Sequence, residues 1–328
     1  MKYKLLSILT LGAFALVASP LSFAQSEASE VLPTDSLNSE IADISEQAGI
    51  MVPSLFEDVV APDDLPDLRS RTDYLMENFW NPFDFKAHKS VDQNALNHAF
   101  SVYVQAMQYA SEKKVLDSVK KLIGNIKNNP GLSLQFAKAA EDNLYGPRAE
   151  IWWDQIYIPF LENVVANKKL ADSKKTKYKN QLDLLRKTAI GAKFPQINFV
   201  SLDDSPSTMI VNKPYTIVEL KTLNCEDCRY SDLKLDISST VSDMTYDGNL
   251  DVYSIIIPER GESINVDKKN LNSKWHNGYS QNAAQLLDIR MYPSYYLVDN
   301  TGKILAKNEV VDNIIRILES LANNNKTK

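Results

Sequence analysis

The sequence predicts an α+β protein of two domains: an irregular all-α bundle, then an α/β domain with a central mixed sheet flanked by helices. Three observations predict it. A length of 328 residues suffices for two ordinary domains. From about Leu68 to Ala192 apolar residues recur with a helical period. From Ile197 onward, short β-rich runs alternate with helical stretches, as βαβ units require. The expected bounds are a signal peptide at 1–24, a polar lead-in and linker at 25–66, a helical domain without assignable activity at 67–192, and the α/β domain at 193–328.

The N-terminus explains the first boundary. Lys2 and Lys4 give a basic start, Leu5 to Val17 an apolar run, and Ser22-Phe-Ala24 a small-x-small cleavage site. That run is too short to span a bilayer comfortably, and no later stretch reaches its length, so no transmembrane segment is expected after removal of the signal. Cleavage near Ala24 takes the formal net charge from −6 to −8 by removing the two lysines. So acidic a chain lacks the cationic surface that phosphate neutralisation requires, which argues against nucleic acid as a partner. Residues 25–50 are Ser-, Glu- and Asp-rich and read as a loosely ordered lead-in. Pro53, Pro62 and Pro66 then punctuate an extended segment.

Within the helical part, the period predicts helices over Arg69–Trp80, Asp92–Ala110, Ser111–Lys127, Leu132–Tyr145, Glu150–Ala166 and Ser173–Ile190. Asp92 is the expected N-cap of the second, Asn128-Asn-Pro-Gly131 a turn, and Pro159 a helix-kinking residue. No 34-residue repeat signature recurs, so a bundle is favoured over a repeat array. Trp152-Trp153 and the aromatic stretch 74–85 read as core before they read as a recognition surface.

In the C-terminal part, Ile197–Leu202 and Thr216–Leu220 read as strands, and Asp251–Ile257 as a strand buried on both faces. A helix after Cys228 is expected to bury Leu233, Ile237, Val241 and Met244. Lys274–Leu287 is expected to be helical in part. Ser294–Val298, the turn Asp299-Asn-Thr-Gly302 and Lys303–Ala306 form a hairpin, followed by an amphipathic helix carrying Val311, Ile314, Ile315 and Leu318.

The chain's two cysteines, Cys225 and Cys228, lie two residues apart where this pattern changes from strand to helix. Such a pair can open and close as a disulfide. Exchange needs one exposed, activated thiolate and a second thiol to resolve the mixed disulfide. A helix N-terminus favours the anion at Cys225, while Cys228 lies one turn along. Cys225 is therefore the expected nucleophile and Cys228 the resolving thiol. Glu226 and Asp227 between them oppose the thiolate, and Arg229 offsets part of that, so a weak oxidant or a reductant is expected.

The C-terminal third resembles the TlpA/ResA-like periplasmic thioredoxins. The resemblance is carried by Gly191-Ala-Lys-Phe-Pro195-Gln-Ile-Asn-Phe199, the strand ending in Cys225-Glu-Asp-Cys228-Arg229, the strand Asp251–Ile257, and Ile289-Arg-Met-Tyr-Pro293-Ser-Tyr-Tyr-Leu-Val-Asp299-Asn-Thr-Gly-Lys303-Ile304. The family pattern has an aromatic before the first cysteine and a Pro inside the motif; here Asn224 and Glu226-Asp227 stand there. The resemblance implies a thioredoxin fold and a cis bond before Pro293, with the backbone of Tyr292 beside the dithiol where an extended substrate pairs. It also implies a buried carboxylate at Glu219 that moves the proton of the resolving cysteine, although strand alternation leaves an outward Glu219 open. Arg71-Thr-Asp-Tyr-Leu-Met-Glu-Asn-Phe-Trp-Asn-Pro-Phe-Asp-Phe85 and Tyr157-Ile-Pro-Phe-Leu161 resemble an uncharacterised domain that accompanies thioredoxin-like domains in exported proteins of Gram-negative bacteria.

The expected function is an exported, periplasmic thiol–disulfide oxidoreductase. It needs no cofactor beyond its redox-active disulfide. Its partners are the thiols and disulfides of exported proteins and an upstream electron donor. Two alternatives remain: a thioredoxin-scaffold binding module with a structural disulfide, and a thiol peroxidase. Thr222-Leu-Asn-Cys225 echoes a peroxidase motif, but Val218 stands where that motif has Pro. His88, His98 and His276 are scattered singly without metal-ligand spacing, so no metal site is expected.

Overall fold

The computed structural model describes residues 54–87, 89–259, 261–262, 264 and 271–326. The expected signal segment, residues 25–53 and His88 lie outside the described residues. The chain forms two compact units, one ending at Leu182 and the other beginning at Asp183.

The first unit is helical: α1 (Leu68–Asn78), α2 (Gln93–Met107), α3 (Glu112–Ile126), α4 (Pro130–Leu144) and α5 (Asp154–Ala166), with α6 (Asp172–Lys187) running across the boundary. Local chemistry sets the ends. Asp67 caps α1 through the Ser70 amide, and Asp92 accepts from the amides of Asn94 and Ala95 at 2.9 Å each. Asn129 caps α4, whose first residue is Pro130, a position where a missing N–H costs nothing. Pro159 lies inside α5. Aromatic rings fill the core: Trp80 meets Phe79, Phe83, Tyr103 and Phe136 edge-on or tilted, with centroids 5.1–6.4 Å apart. Phe56, from the segment before α1, adds its ring to that cluster. The stretch 74–85 therefore contributes Phe79, Trp80 and Phe83 to the core, the part expected of its aromatics, and does so from the turn that follows α1.

The second unit carries β1 (Asn198–Ser201), β2 (Pro206–Thr208), β3 (Tyr215–Lys221), α7 (Glu226–Ile237), α8 (Ser239–Tyr246), β4 (Leu250–Ile256), β5 (His276–Tyr279), α9 (Ala283–Leu286), β6 (Ser294–Asp299), β7 (Ile304–Glu309) and α10 (Val311–Lys326). The strand order is β2-β1-β5-β4-β3-β6-β7. β3 runs parallel to β4 and antiparallel to β6, so β3 is central and buried on both faces. Side-chain alternation sends Val218 and Leu220 into one core with Tyr253, Ile255 and Tyr296. It sends Ile217 into the other, with Val252, Tyr295, Leu235 of α7 and Ile314 and Leu318 of α10.

One expectation fails here. Leu233 and Ile237 are 57% and 72% exposed, and Leu235 is the buried leucine of α7. The reason is a break at Ser238, which ends α7 and caps α8 through the Val241 amide, so apolar residues on either side of it follow different helical phases. Lys274–Leu287 is helical in part, as expected, through the single turn α9, and also holds strand β5, which was not foreseen. A Cβ on Gly278 would stand 2.5 Å from Val200 O, so glycine there admits the close approach of β1. The short edge strand β2 was also not expected.

Candidate active site

β3 delivers the chain to the site. After Lys221 the strand gives way to a turn, and Cys225 becomes the N-cap of α7. Its Sγ accepts the Cys228 amide N–H at 3.0 Å, one of the helix's otherwise unpaired donors. Cys225 and Cys228 form a disulfide with their Cα atoms 5.1 Å apart. Cys225 is partly exposed, while Cys228 is only 2% exposed. Glu226 and Asp227 are both exposed in the first turn.

The Tyr292–Pro293 peptide is cis. In the β3–β6 register Leu220 faces Ser294, so Pro293 lies level with the end of β3, where the Cys225 turn begins. A buried ionic cluster fixes the chain on both sides of this bond. Asp288 accepts from Arg290 at 2.7 Å, Lys307 at 3.0 Å and Asn308 at 3.1 Å, and Tyr296 O–H donates to Asp288 O at 2.6 Å. Ser294 Oγ donates to Asn308 Oδ1 at 3.0 Å. Burial pushes the Asp288 carboxyl up, but Arg290 and Lys307 outweigh it and hold the acid below the usual range.

Glu219 points inward and is fully buried. Its register partners are Ser254 on β4 and Tyr295 on β6, and both hydroxyls donate to it, at 2.6 and 2.7 Å. Lys221, two residues along and on the same face, stands 3.3 Å from Glu219 and 2.8 Å from Asp232 of α7. Burial works against the Lys221 ammonium, and the Glu219 and Asp232 carboxylates more than offset it, raising its pKa. Burial, and then the Glu219 charge, push Asp232 up to about 7. The sequence singled out Glu219 but not Lys221, Asp232, Ser254 or Tyr295. A lysine closing an apolar strand was the available signal; the others depend on register and on which face of α7 turns inward.

Of the described histidines, His276 stacks on Tyr253 at 4.3 Å and His98 is exposed. Among the described residues no cluster of His, Cys, Asp and Glu is arranged to hold a metal, and no helix is long and apolar enough to cross a membrane.

The family model for a domain of unknown function, DUF5106, matches residues 23–188. The chain belongs to that family. No curated protein matches this DUF5106 chain. Among solved structures it is similar to a thioredoxin-like protein from Bacteroides caccae ATCC 43185, at 20% identity and a TM-score of 0.68, covering 82% of this chain and 99% of that one. The second unit of the DUF5106 chain thus has a thioredoxin-like fold. Less of the chain is matched by the thioredoxin domain of a thiol-disulfide oxidoreductase from Bacteroides vulgatus, at 20% identity, 40% and 97% coverage and a TM-score of 0.33. A thiol:disulfide interchange protein from Bacteroides sp. matches at 24% identity, 41% and 91% coverage and a TM-score of 0.33.

Proposed function

We propose that the chain is an exported thiol–disulfide oxidoreductase that reduces or exchanges disulfides of periplasmic proteins through Cys225 and Cys228. The observation that carries this reading is the asymmetry of the pair. Cys225 is partly exposed at the helix N-terminus with an amide aimed at its sulfur, and Cys228 is buried behind it. In the reduced protein the Cys225 thiolate attacks a substrate disulfide, forming a mixed disulfide and releasing one substrate thiolate. Cys228 Sγ then attacks Cys225 Sγ and releases the second. The protein leaves this step as the disulfide, two electrons having passed to the substrate, and a dithiol donor must reduce it again. The backbone at Tyr292, level with the end of β3, is the surface proposed to hold the substrate chain.

Reduction of insulin disulfides tests the activity, and Cys228→Ser tests the route, because it strands the mixed disulfide on Cys225. Wild-type reduction together with substrate captured by Cys228→Ser, and none by Cys225→Ser, is the expected result. A silent assay and an empty trap would leave a binding module with a static disulfide. Peroxide consumption without disulfide reduction would point to a thiol peroxidase.

A further inference from the structure

We propose that Asp232, rather than Glu219, is the carboxylate that takes the proton from Cys228 when the mixed disulfide is resolved, with Glu219 serving as a hydrogen-bonded anchor. This deepens the oxidoreductase reading and rests on it. The hydrogen-bond inventory separates the two acids. Glu219 receives the Ser254 and Tyr295 hydroxyls, one on each oxygen, and has the Lys221 ammonium at 3.3 Å. Donors on both oxygens stabilise the charged form of a buried carboxylate. Asp232 receives only Lys221, on Oδ2; its Oδ1 is buried and meets no donor among the described residues. A buried acceptor left without a donor carries a desolvation cost, which protonation relieves by supplying an O–H.

Charge counting points the same way. The cluster holds two carboxylates and one ammonium in a largely buried site, so one negative charge is in excess. The groups facing Asp232 are Glu219 and Lys221 on β3 and Tyr295 on β6. Tyr295, its phenol raised by burial and by Glu219, stays a donor, and Lys221 stays charged, which leaves the two acids to carry an exchangeable proton. Between them, Asp232 is the acid whose protonation satisfies an orphan atom, and burial and the Glu219 charge raise its affinity for a proton.

Position supplies the link to sulfur. Asp232 lies four residues after Cys228 on α7, so the two side chains are neighbours on one helix face, about 5–6 Å apart at Cβ and within reach directly or through one water. Glu219 has no exposed surface, while the Asp232 side chain keeps 25% of its own, so Asp232 also opens to solvent. The step balances: Cys228 S–H gives its proton to the Asp232 carboxylate, and the sulfur's electron pair forms the Cys225–Cys228 bond. The Cys225–substrate bond breaks, and its pair leaves on the substrate thiolate. Asp232 then releases the proton to water or to that thiolate.

Two measurements on the full chain test this. The first is a carbon-13 NMR titration of side-chain carboxyls in the reduced protein, comparing wild type, Asp232→Asn and Glu219→Gln. The expected result is a carboxyl titrating near pH 7 that is absent in Asp232→Asn, and that persists in Glu219→Gln at lower pH because the like charge is gone. The second uses dithiobis(nitrobenzoate): Cys225 takes one thionitrobenzoate, and release of the second times resolution by Cys228. Asp232→Asn is expected to slow that release about 100-fold at neutral pH and to abolish the inflection near pH 7, the scale of a lost general base. Glu219→Gln keeps an inflection, displaced to lower pH. A near-neutral carboxyl that survives in Asp232→Asn and vanishes in Glu219→Gln would overturn the assignment, as would an unchanged pH profile in Asp232→Asn, and both leave the oxidoreductase reading intact. A wild type that reduces no disulfide at any pH overturns that reading and this one together.

Discussion

At the residue scale, the thiol pair is governed by opposing charges. The helix N-terminus and the Cys228 amide favour an anion at Cys225, while Glu226 and Asp227 disfavour it. Glu226→Gln/Asp227→Asn is therefore expected to stabilise the thiolate, and with it the reduced protein, and to raise the reduction potential. Both acids are exposed, so the shift should stay within about 1 kcal/mol, less than tenfold in the equilibrium with glutathione, and shrink in high salt. A potential that falls would reverse the sign of this account. A second prediction concerns stability. Asp232 binds its proton more tightly folded than unfolded, so its contribution is full below the ordinary Asp range and is lost as pH rises from about 4 toward 7. In the oxidised protein, Asp232→Asn should flatten that decline, seen as a urea midpoint varying less between pH 5 and pH 8 than in wild type. Asp288 has the opposite sign. Its depressed pKa contributes stability above the ordinary Asp range, lost in acid, so that decline should survive in Asp232→Asn.

At the element scale, the break at Ser238 decides which side of α7 is core. Leu235→Ala should destabilise by about 2–5 kcal/mol, the usual cost of emptying a buried leucine site. Leu233→Ala and Ile237→Ala, at exposed positions, should each stay within about 0.5 kcal/mol. Equal losses at Leu233 and Leu235 in denaturant unfolding would contradict the observed phase. Gly278 gives a sharper test of β5. Its Cβ position is blocked by Val200 O at 2.5 Å and by the Phe199 ring at 2.6 Å, so Gly278→Ala must displace β1 and should cost about 1–3 kcal/mol. Loss of amide protection should begin at the paired residues Val200 and Tyr279. These elements escaped sequence reading for physical reasons. A period of 3.6 is continuous only while the helix is, and His276-Asn-Gly-Tyr279 lacks the β-branched residues that mark a strand.

At the scale of the whole molecule, each unit has its own core, and the two are built differently. The helical unit rests on interlocking rings around Trp80, where Trp80→Ala should cost about 3–5 kcal/mol and strip amide protection from α2 and α4, whose Phe100 and Phe136 it touches. Protection that persists there would mean the ring cluster is not the keystone of that unit. In the second unit β3 carries both a core and a buried charge cluster, since it alternates Val218 and Leu220 with Glu219 and Lys221. Local information in the chain determined much of this by itself. Periodicity placed the six helices of the first part, the helix after Cys228, the C-terminal helix and five strands, because each is written in spacing along the chain, and the strand, thiol pair and proline block carried the resemblance to thioredoxins. Only the tertiary structure decided that Glu219 faces inward, that Ser254 and Tyr295 flank it, and that Lys221 reaches across to Asp232. Those contacts join residues up to 76 positions apart. They are fixed by strand register and by the face α7 turns to the sheet, which become definite only when the two pack together.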